Sequence, residues 1–407
     1  MKLYIIGLGY IGLPTALIMA AHGISVTGID YDENLISSLR RGQITSAEEG
    51  LEALYQKARA NGIEFSTEYI SSDLYIVAVP TPYDKASKKI DPYYLLSAIK
   101  NIINICPKGA VIVIESTVSP RTIDRHVRPA IEKGGFVVGE DIHIVHAPER
   151  IIPGKMLYEL ENNPRTIVAD CKEVGEMVRN IYSSFCKGKI VLTDIRTAEM
   201  TKVVENTYRD INIAFANELA KICRQDNMDV YEIIRIANMH PRVNILRPGP
   251  GVGGHCLSVD PWFLVGDYPG LSSLTRHARL INESMPGFVL ERVFEIMKEN
   301  NIKDVSRVGI YGLTYKEDVD DIRESPSLQM LERIGKHLGA PPKVYDPMVL
   351  SDVVPNQYHD LSAFLSEIDI FVLMIAHGEI KNNMDKLRGK IILDTRNVCD
   401  LEGAYKL

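Results

Sequence analysis

The chain has 407 residues, 45% of them hydrophobic and 24% charged, which is enough for two or three domains with cores of their own. A net charge of −7 excludes a general nucleic-acid or anionic-membrane binder, while leaving room for a local basic pocket around a small anion. Six scattered cysteines, with no CxxC pair and no zinc spacing, read as a reduced cytoplasmic protein without a metal site, not as a disulfide framework.

Leu3 to Ile29 holds no Asp, Glu, Lys or Arg, so a signal peptide or membrane helix has to be weighed. Its glycines, Pro14 and His22 instead divide it into a strand (Lys2–Ile6), a helix (Leu13–His22) and a strand (Ser25–Ile29) ending at Asp30. The short apolar runs Leu74–Val79, Ala110–Glu115 and Ile142–His146 predict further strands with helices between them. That alternation predicts a doubly wound, mostly parallel sheet. Thr197 to about Met228 is one long helical pattern without Gly or Pro, followed by helices over Val230–Asn238 and Ser273–Lys298. A helix of this kind can pack its apolar face on a partner subunit or within its own domain. From about Asn301 the alternation returns, with strands at Arg307–Tyr311, Lys343–Tyr345, Ile370–Ile375 and Lys390–Leu393 and a helix at Ser327–Leu338. The expected organisation is α/β: two Rossmann-like doubly wound domains, 1–195 and 301–407, joined by a long central helix and helical connector, 196–300.

Gly7-Leu-Gly9-Tyr10-Ile11-Gly12 follows the first strand and opens the helix. Its glycines suit a tight turn, the approach of a pyrophosphate, and close helix–strand packing. Asp30 stands at the distance of a carboxylate that binds ribose hydroxyls and repels a 2′-phosphate, which selects NAD over NADP. Thr81 and Thr117 each follow an apolar strand, at the sheet end where such ligands bind.

Pro248-Gly-Pro-Gly-Val-Gly-Gly-His-Cys256-Leu-Ser-Val-Asp260-Pro-Trp262 puts one cysteine at the end of a glycine-rich loop, with a carboxylate four residues on. A thiol there can act as a nucleophile if its surroundings favour the thiolate. For Cys106, Cys171, Cys186, Cys223 and Cys399 the expectation is a small buried hydrophobe. On the long helix Lys202, Asn206 and Arg209 share one face. On spacing alone that face reads as a solvated polar stripe; aimed at a reacting centre, the ammonium and amide would stabilise an oxyanion.

These segments resemble the UDP-glucose/GDP-mannose dehydrogenase family over almost the whole chain. Arg196–Glu218 is similar to the family's central helix, and His240–Cys256 to its cysteine segment; Pro148-Glu149-Arg150-Ile151-Ile-Pro-Gly154, Gly312-Leu-Thr-Tyr315-Lys316 and Asp321-Ile-Arg323-Glu-Ser-Pro326 are further family motifs. The resemblance implies that Cys256 is the nucleophile, with Asp260 orienting water or setting proton positions. Lys202 and Asn206 would stabilise oxyanions, and Thr117 and Glu149 would be accessory polar groups. Arg150, Ile151, Arg209, His240, Arg242 and Gly253 would hold the nucleotide sugar, one or two of them from the other subunit of a homodimer formed through the central helix. Tyr315, Lys316 and Arg323 would hold the UDP end, with Arg323 also counted among the cofactor contacts.

The activity so implied is a four-electron, NAD-dependent oxidation of a UDP-sugar's primary alcohol to a carboxylate through a cysteine thioester. The His240–Trp262 segment points to UDP-N-acetylmannosamine, then UDP-N-acetylglucosamine, then UDP-glucose. Two rivals remain: a two-electron β-hydroxyacid-type dehydrogenase, which needs no cysteine, and a catalytically silent nucleotide-sugar sensor.

Overall fold

The computed structural model describes residues 2–44, 48–151, 154–337 and 341–407. Leu338 of the predicted Ser327–Leu338 helix, and Ile152 and Pro153 of the Pro148–Gly154 motif, lie outside the described residues. The chain divides into two compact units: Met1–Glu205 with Phe263–Pro269, and Asn206–Trp262 with Gly270–Leu407.

In the first unit the described residues form an eight-stranded sheet in the order β3-β2-β1-β4-β5-β6-β7-β8. The strands are β1 (Lys2–Ile6), β2 (Ser25–Ile29), β3 (Glu64–Ser66), β4 (Leu74–Val77), β5 (Ala110–Ile114), β6 (Ile142–His146), β7 (Arg165–Ala169) and β8 (Ile190–Leu192). All neighbours run parallel except β6 and β7. Strands β1, β4 and β5 are apolar almost throughout because helices cover both faces of a parallel sheet. The charge-free stretch Leu3–Ile29 is therefore β1, helix α1 (Gly12–Ala21, buried throughout) and β2 of this sheet. No helix among the described residues is long and apolar enough to cross a membrane. The strand order reverses between β1 and β4, the crevice where doubly wound sheets bind ligands.

The second unit holds a six-stranded sheet in the order β11-β10-β9-β12-β13-β14, parallel at every pairing. Its strands are β9 (Val308–Tyr311), β10 (Lys343–Tyr345), β11 (Gln357–Tyr358), β12 (Ile370–Leu373), β13 (Ile391–Asp394) and β14 (Tyr405–Lys406). The two predicted doubly wound sheets are thus present. Strands β3, β7, β8, β11 and β14 were not anticipated: four have two or three residues, too short for a periodic signal, and β7 opens on an arginine.

Four further helices matter for the site: α2 (Lys172–Tyr182), α3 (Ile195–Gln225), α4 (Asp260–Asp267) and α5 (Ser273–Glu299). Helix α3 is the predicted long helix, 31 residues, beginning two residues earlier and ending three earlier than the pattern suggests.

Candidate active site

The glycines at the end of β1 have different physical reasons. Gly7 sits at φ +89°, and a Cβ there would lie 2.6 Å from the carbonyl oxygen of Ala78. A Cβ on Gly12 would lie 1.8 Å from the Gly7 carbonyl oxygen, so only glycine lets α1 start so close to the turn. Gly9 has nothing within 4 Å and is exposed, leaving its backbone open to a ligand at the helix N-terminus. Asp30 accepts from the N–H of Leu8 at 2.7 Å and from that of Asp32 at 3.0 Å. Two backbone donors fix this carboxylate beside the turn, where ribose hydroxyls would meet it. Tyr10 and Ile11 are half-buried in the same turn. These residues fit NAD.

The second unit repeats the turn with a different ending. Gly312 (φ +98°) donates to the Tyr345 carbonyl at 2.8 Å, as Gly7 donates to Ile29 at 2.8 Å. Asp346 accepts from Leu313 N–H at 2.5 Å and Thr314 N–H at 3.0 Å. Here His377 Nε2 lies 3.2 Å from the same carboxylate, and both side chains are buried. The carboxylate is closed off from a ribose, and no second glycine fingerprint follows Gly312.

The loops after β4 and β5 meet: Thr81 Oγ1 donates to the Thr117 carbonyl at 2.6 Å. Glu199 on α3 accepts from Arg121 N–H at 2.6 Å and Ile123 N–H at 2.9 Å, bracing the chain just beyond Thr117. Asp267 does the same through Ser119 and, at 3.0 Å, Arg125. After β6, Glu149 is buried; its Oε1 accepts the Arg150 N–H at 2.6 Å and its Oε2 is ion-paired with Arg165. Arg150 donates to Pro164 O at 2.8 Å and Thr166 Oγ1 at 3.0 Å, and pairs with Glu205 at 2.9 Å. Ile151 is buried beside it.

In the second unit the glycine-rich loop has to lie flat against Tyr315. A Cβ on Gly253 would come within 2.7 Å of Tyr315 Cβ, and one on Gly254, at φ +85°, within 2.8 Å of its ring. Gly254 N–H donates to the Arg323 carbonyl at 2.9 Å. The Cys256 carbonyl then accepts from Val259 N–H at 3.1 Å and Asp260 N–H at 2.8 Å, the turn that starts α4. Cys256 is partly exposed, whereas Cys106, Cys186, Cys223 and Cys399 are buried; Cys171 is a correction, being partly exposed and bonded to Glu173 at 2.9 Å. Arg323 grips Asp321 with two parallel bonds of 2.9 and 2.6 Å, and His255 lies 4.0 Å from that carboxylate. Burial, followed by the negative charge of Asp321 and then Cys256, pushes the Tyr315 hydroxyl up.

The polar stripe on α3 is not solvated. Lys202 and Asn206 are buried, so the plain reading of the spacing is corrected. Asn206 donates to Asp260 Oδ2 at 2.6 Å and accepts from Arg209. His240 and Arg242 remain exposed, joined to each other at 3.3 Å. Lys316 is half-buried next to Tyr315.

Sequence reading missed a buried polar layer behind the cysteine loop. Arg279 donates to Asp210 at 2.7 Å, Asn282 to Asp210 at 2.8 Å, Asn217 to Asn282 at 2.8 Å, and Gly249 N–H to Asn217 at 2.9 Å. The available signal was polar residues at the core-facing positions of two helices. Arg165 and Glu115 were missed too, each at the end of an apolar strand.

Three domain models of one family match the chain. Residues 1–186 match the NAD binding domain of the UDP-glucose/GDP-mannose dehydrogenase family, residues 196–284 its central domain, and residues 309–401 its UDP binding domain. The chain is 41% identical to a UDP-N-acetyl-D-mannosamine dehydrogenase of Methanococcus vannielii over 98% of this chain and 93% of that one. It is 36% identical to an NDP-N-acetyl-D-galactosaminuronic acid dehydrogenase of Ralstonia nicotianae, over 97% and 95% of the two chains. The solved UDP-N-acetyl-mannosamine dehydrogenase of Staphylococcus aureus superposes with a TM-score of 0.89 at 41% identity, covering 100% of this chain and 98% of that one. That of Pyrococcus horikoshii gives 0.91 at 35% identity, with the same coverage. The chain belongs to the UDP-glucose/GDP-mannose dehydrogenase family.

Proposed function

We propose that this enzyme oxidises UDP-N-acetyl-D-mannosamine to UDP-N-acetyl-D-mannosaminuronate. The observation that carries the reading is the Arg209–Asn206–Asp260 chain of hydrogen bonds beside the loop that ends at Cys256. The choice of sugar rests on the likeness of the whole chain to enzymes of that name. Bound NAD supplies the hydride acceptor, and two are consumed per sugar. The balance is RCH2OH + 2 NAD⁺ + H2O giving RCOO⁻ + 2 NADH + 3 H⁺.

The residues divide the work as follows. Lys202 and Asn206 stabilise the alkoxide and later oxyanions, with Lys202 also taking the alcohol's proton. An amide has two N–H groups. Asp260 uses one of Asn206's, leaving the other for an oxygen at the reacting carbon. Cys256 Sγ adds to the aldehyde carbonyl carbon, which holds the reactive aldehyde until it is oxidised to the thioester. Water then breaks the C–S bond, oriented by Asp260, and the thiolate is regenerated. Thr117 and Glu149 are accessory polar groups. Arg150, Ile151, Arg209, His240, Arg242 and Gly253 hold the nucleotide sugar; Tyr315, Lys316 and Arg323 hold its UDP end, and Thr81 lines the cofactor crevice.

In this reading the chain works as three parts, 1–195 for NAD, 196–300 for dimerisation and catalysis, and 301–407 for UDP. The partner is a second copy packed on α3, whose Val204, Tyr208, Phe215 and Ile222 form an exposed apolar stripe at spacings of four and seven. Two exposed residues, His240 and Arg242, then complete the neighbouring subunit's sugar site.

The test is a panel of UDP-N-acetylmannosamine, UDP-N-acetylglucosamine and UDP-glucose, each followed by NADH absorbance. The first is expected to give the highest kcat/KM; turnover of UDP-glucose with none of the mannosamine derivative would contradict the proposal.

A further inference from the structure

Behind the Glu149–Arg150 turn lies a charge cluster of which the chemistry above uses only Glu149. Arg165, at the first position of β7, is almost wholly buried and sits between two buried carboxylates. It is ion-paired with Glu149 Oε2 and lies 3.5 Å from Glu115 Oε1. The rings of Tyr182 and Phe185 cover its guanidinium at 4.9 and 5.3 Å. Glu115 Oε1 also accepts the Tyr182 hydroxyl at 3.1 Å. Residues flanking Arg165 hold Arg150 in turn: Pro164 O and Thr166 Oγ1 take both ends of its guanidinium, while Glu149 takes its backbone N–H.

One guanidinium neutralises one carboxylate. With both carboxylates ionised, the cluster would carry an uncompensated negative charge in a dry site, which is strongly unfavourable. Among the described residues, the other elements packed here bring no second positive charge to the two carboxylates. Helix α1 carries no charged residue at all. Strand β6 brings His146, kept neutral because burial pushes it down to about 4. Helix α2 and the segment after it bring Cys186 and Tyr182, whose hydroxyl burial pushes well up, near Arg165. Beyond the turn, Arg150 is matched by Glu205. Burial first, opposed by Arg165 and reinforced by Glu149, pushes Glu115 up to about 7.

We propose that Arg165 is a positioning residue: clamped between Glu149 and Glu115, it fixes the Glu149–Arg150 turn and so presents Arg150 to the nucleotide sugar. When Glu115 carries a proton, Arg165 belongs to Glu149 alone and the turn is held firmly. When Glu115 is ionised it competes for Arg165, and the hold on Glu149 slackens. This rests on the assignment of Arg150 to the sugar nucleotide.

The experiment is steady-state kinetics of the full-length enzyme from pH 6 to 8.5, varying UDP-N-acetylmannosamine and NAD separately. In the wild type, the sugar-nucleotide KM should rise several-fold as pH passes 7. In Glu115→Gln it should stay flat at the low-pH value. Arg165→Met should raise that KM about tenfold at every pH, with kcat within about threefold and the NAD KM within about twofold; Arg165→Lys should recover part of the loss. An unchanged sugar-nucleotide KM in Arg165→Met, or a pH response that survives in Glu115→Gln, would overturn the proposal. If Arg165→Met does not fold, the lysine and glutamine variants decide it. Hydrogen exchange at the Arg150 amide gives a substrate-free check. Corrected for intrinsic rate, it should be faster at pH 8 than pH 6 in the wild type and pH-independent in Glu115→Gln. Wild-type enzyme inert towards every UDP-sugar would refute the substrate reading alone. Exchange at Arg150 indifferent to Glu115 would refute the clamp.

Discussion

Asn206 donates its side-chain amide to the Asp260 carboxylate at 2.6 Å, and both groups are buried. The bond links the middle of α3 to the first residue of α4, four positions after Cys256. It also fixes the amide's orientation, because the oxygen end is taken by Arg209. A preorganised amide of this kind needs no reorganisation when negative charge develops on a nearby oxygen. Asn206→Ala is therefore expected to lower kcat on the order of a hundredfold while changing the NAD KM little. Asp260→Asn, which replaces an acceptor by an amide facing another amide, should also lower kcat. A variant with kcat intact at either position, measured by NADH production, would show that the pair serves only the fold.

The fingerprint glycines should separate binding from folding. Gly9 faces open space, so Gly9→Ala should keep the wild-type melting temperature while raising the NAD KM about tenfold or more. Gly12→Ala forces a Cβ into the Gly7 carbonyl and should lower the melting temperature itself, by an overpacking cost of roughly 1–3 kcal/mol or more. Thermal unfolding with and without NAD distinguishes the two. Equal destabilisation by both would contradict this account of the turn.

His146 gives a pH prediction. Its Nδ1–H donates to Ile114 O at 2.9 Å, and Nε2 has no hydrogen-bond partner among the described residues. Burial pushes the imidazole down to about 4, so the folded protein resists a proton that the unfolded chain takes up below its ordinary value near 6.5. Stability should be full above pH 6.5 and fall towards pH 4, by on the order of 3 kcal/mol from this residue. Urea unfolding across that range should show a shallower decline for His146→Gln, which can still donate to Ile114. An identical slope in the variant would remove His146 from the explanation.

The exposed stripe on α3 predicts a homodimer. Phe215→Glu places a charge in its middle and should convert dimer to monomer in light scattering. It should also lower activity, if His240 and Arg242 serve the partner's site. A wild-type monomer at micromolar concentration would contradict the proposed assembly.

Most of the fold was legible in the sequence because β4, β5, β9 and β12 are apolar runs between turn residues, and β1 and β6 are apolar but for Lys2 and for His143 and His146. The NAD turn was legible because Gly7 and Gly12 answer backbone requirements that no other residue meets, while Gly9 leaves the space in front of the helix open. The burial of Lys202 and Asn206 was not: helical spacing says which residues share a face, not what covers that face. Arg165, Arg279 and Asp210 were illegible for a related reason. A charged residue inside a periodic pattern looks like a solvated edge until the opposing carboxylate or guanidinium, tens of residues away in sequence, is brought against it.

On the proposed mechanism Cys256 is the covalent anchor for a second oxidation. The most direct measurement is NADH formed per UDP-N-acetylmannosamine consumed, in the wild type and in Cys256→Ala. Two NADH per sugar are predicted for the wild type, with the alanine variant unable to pass the aldehyde stage and yielding at most one. One NADH per sugar in the wild type, or two in Cys256→Ala, would contradict it.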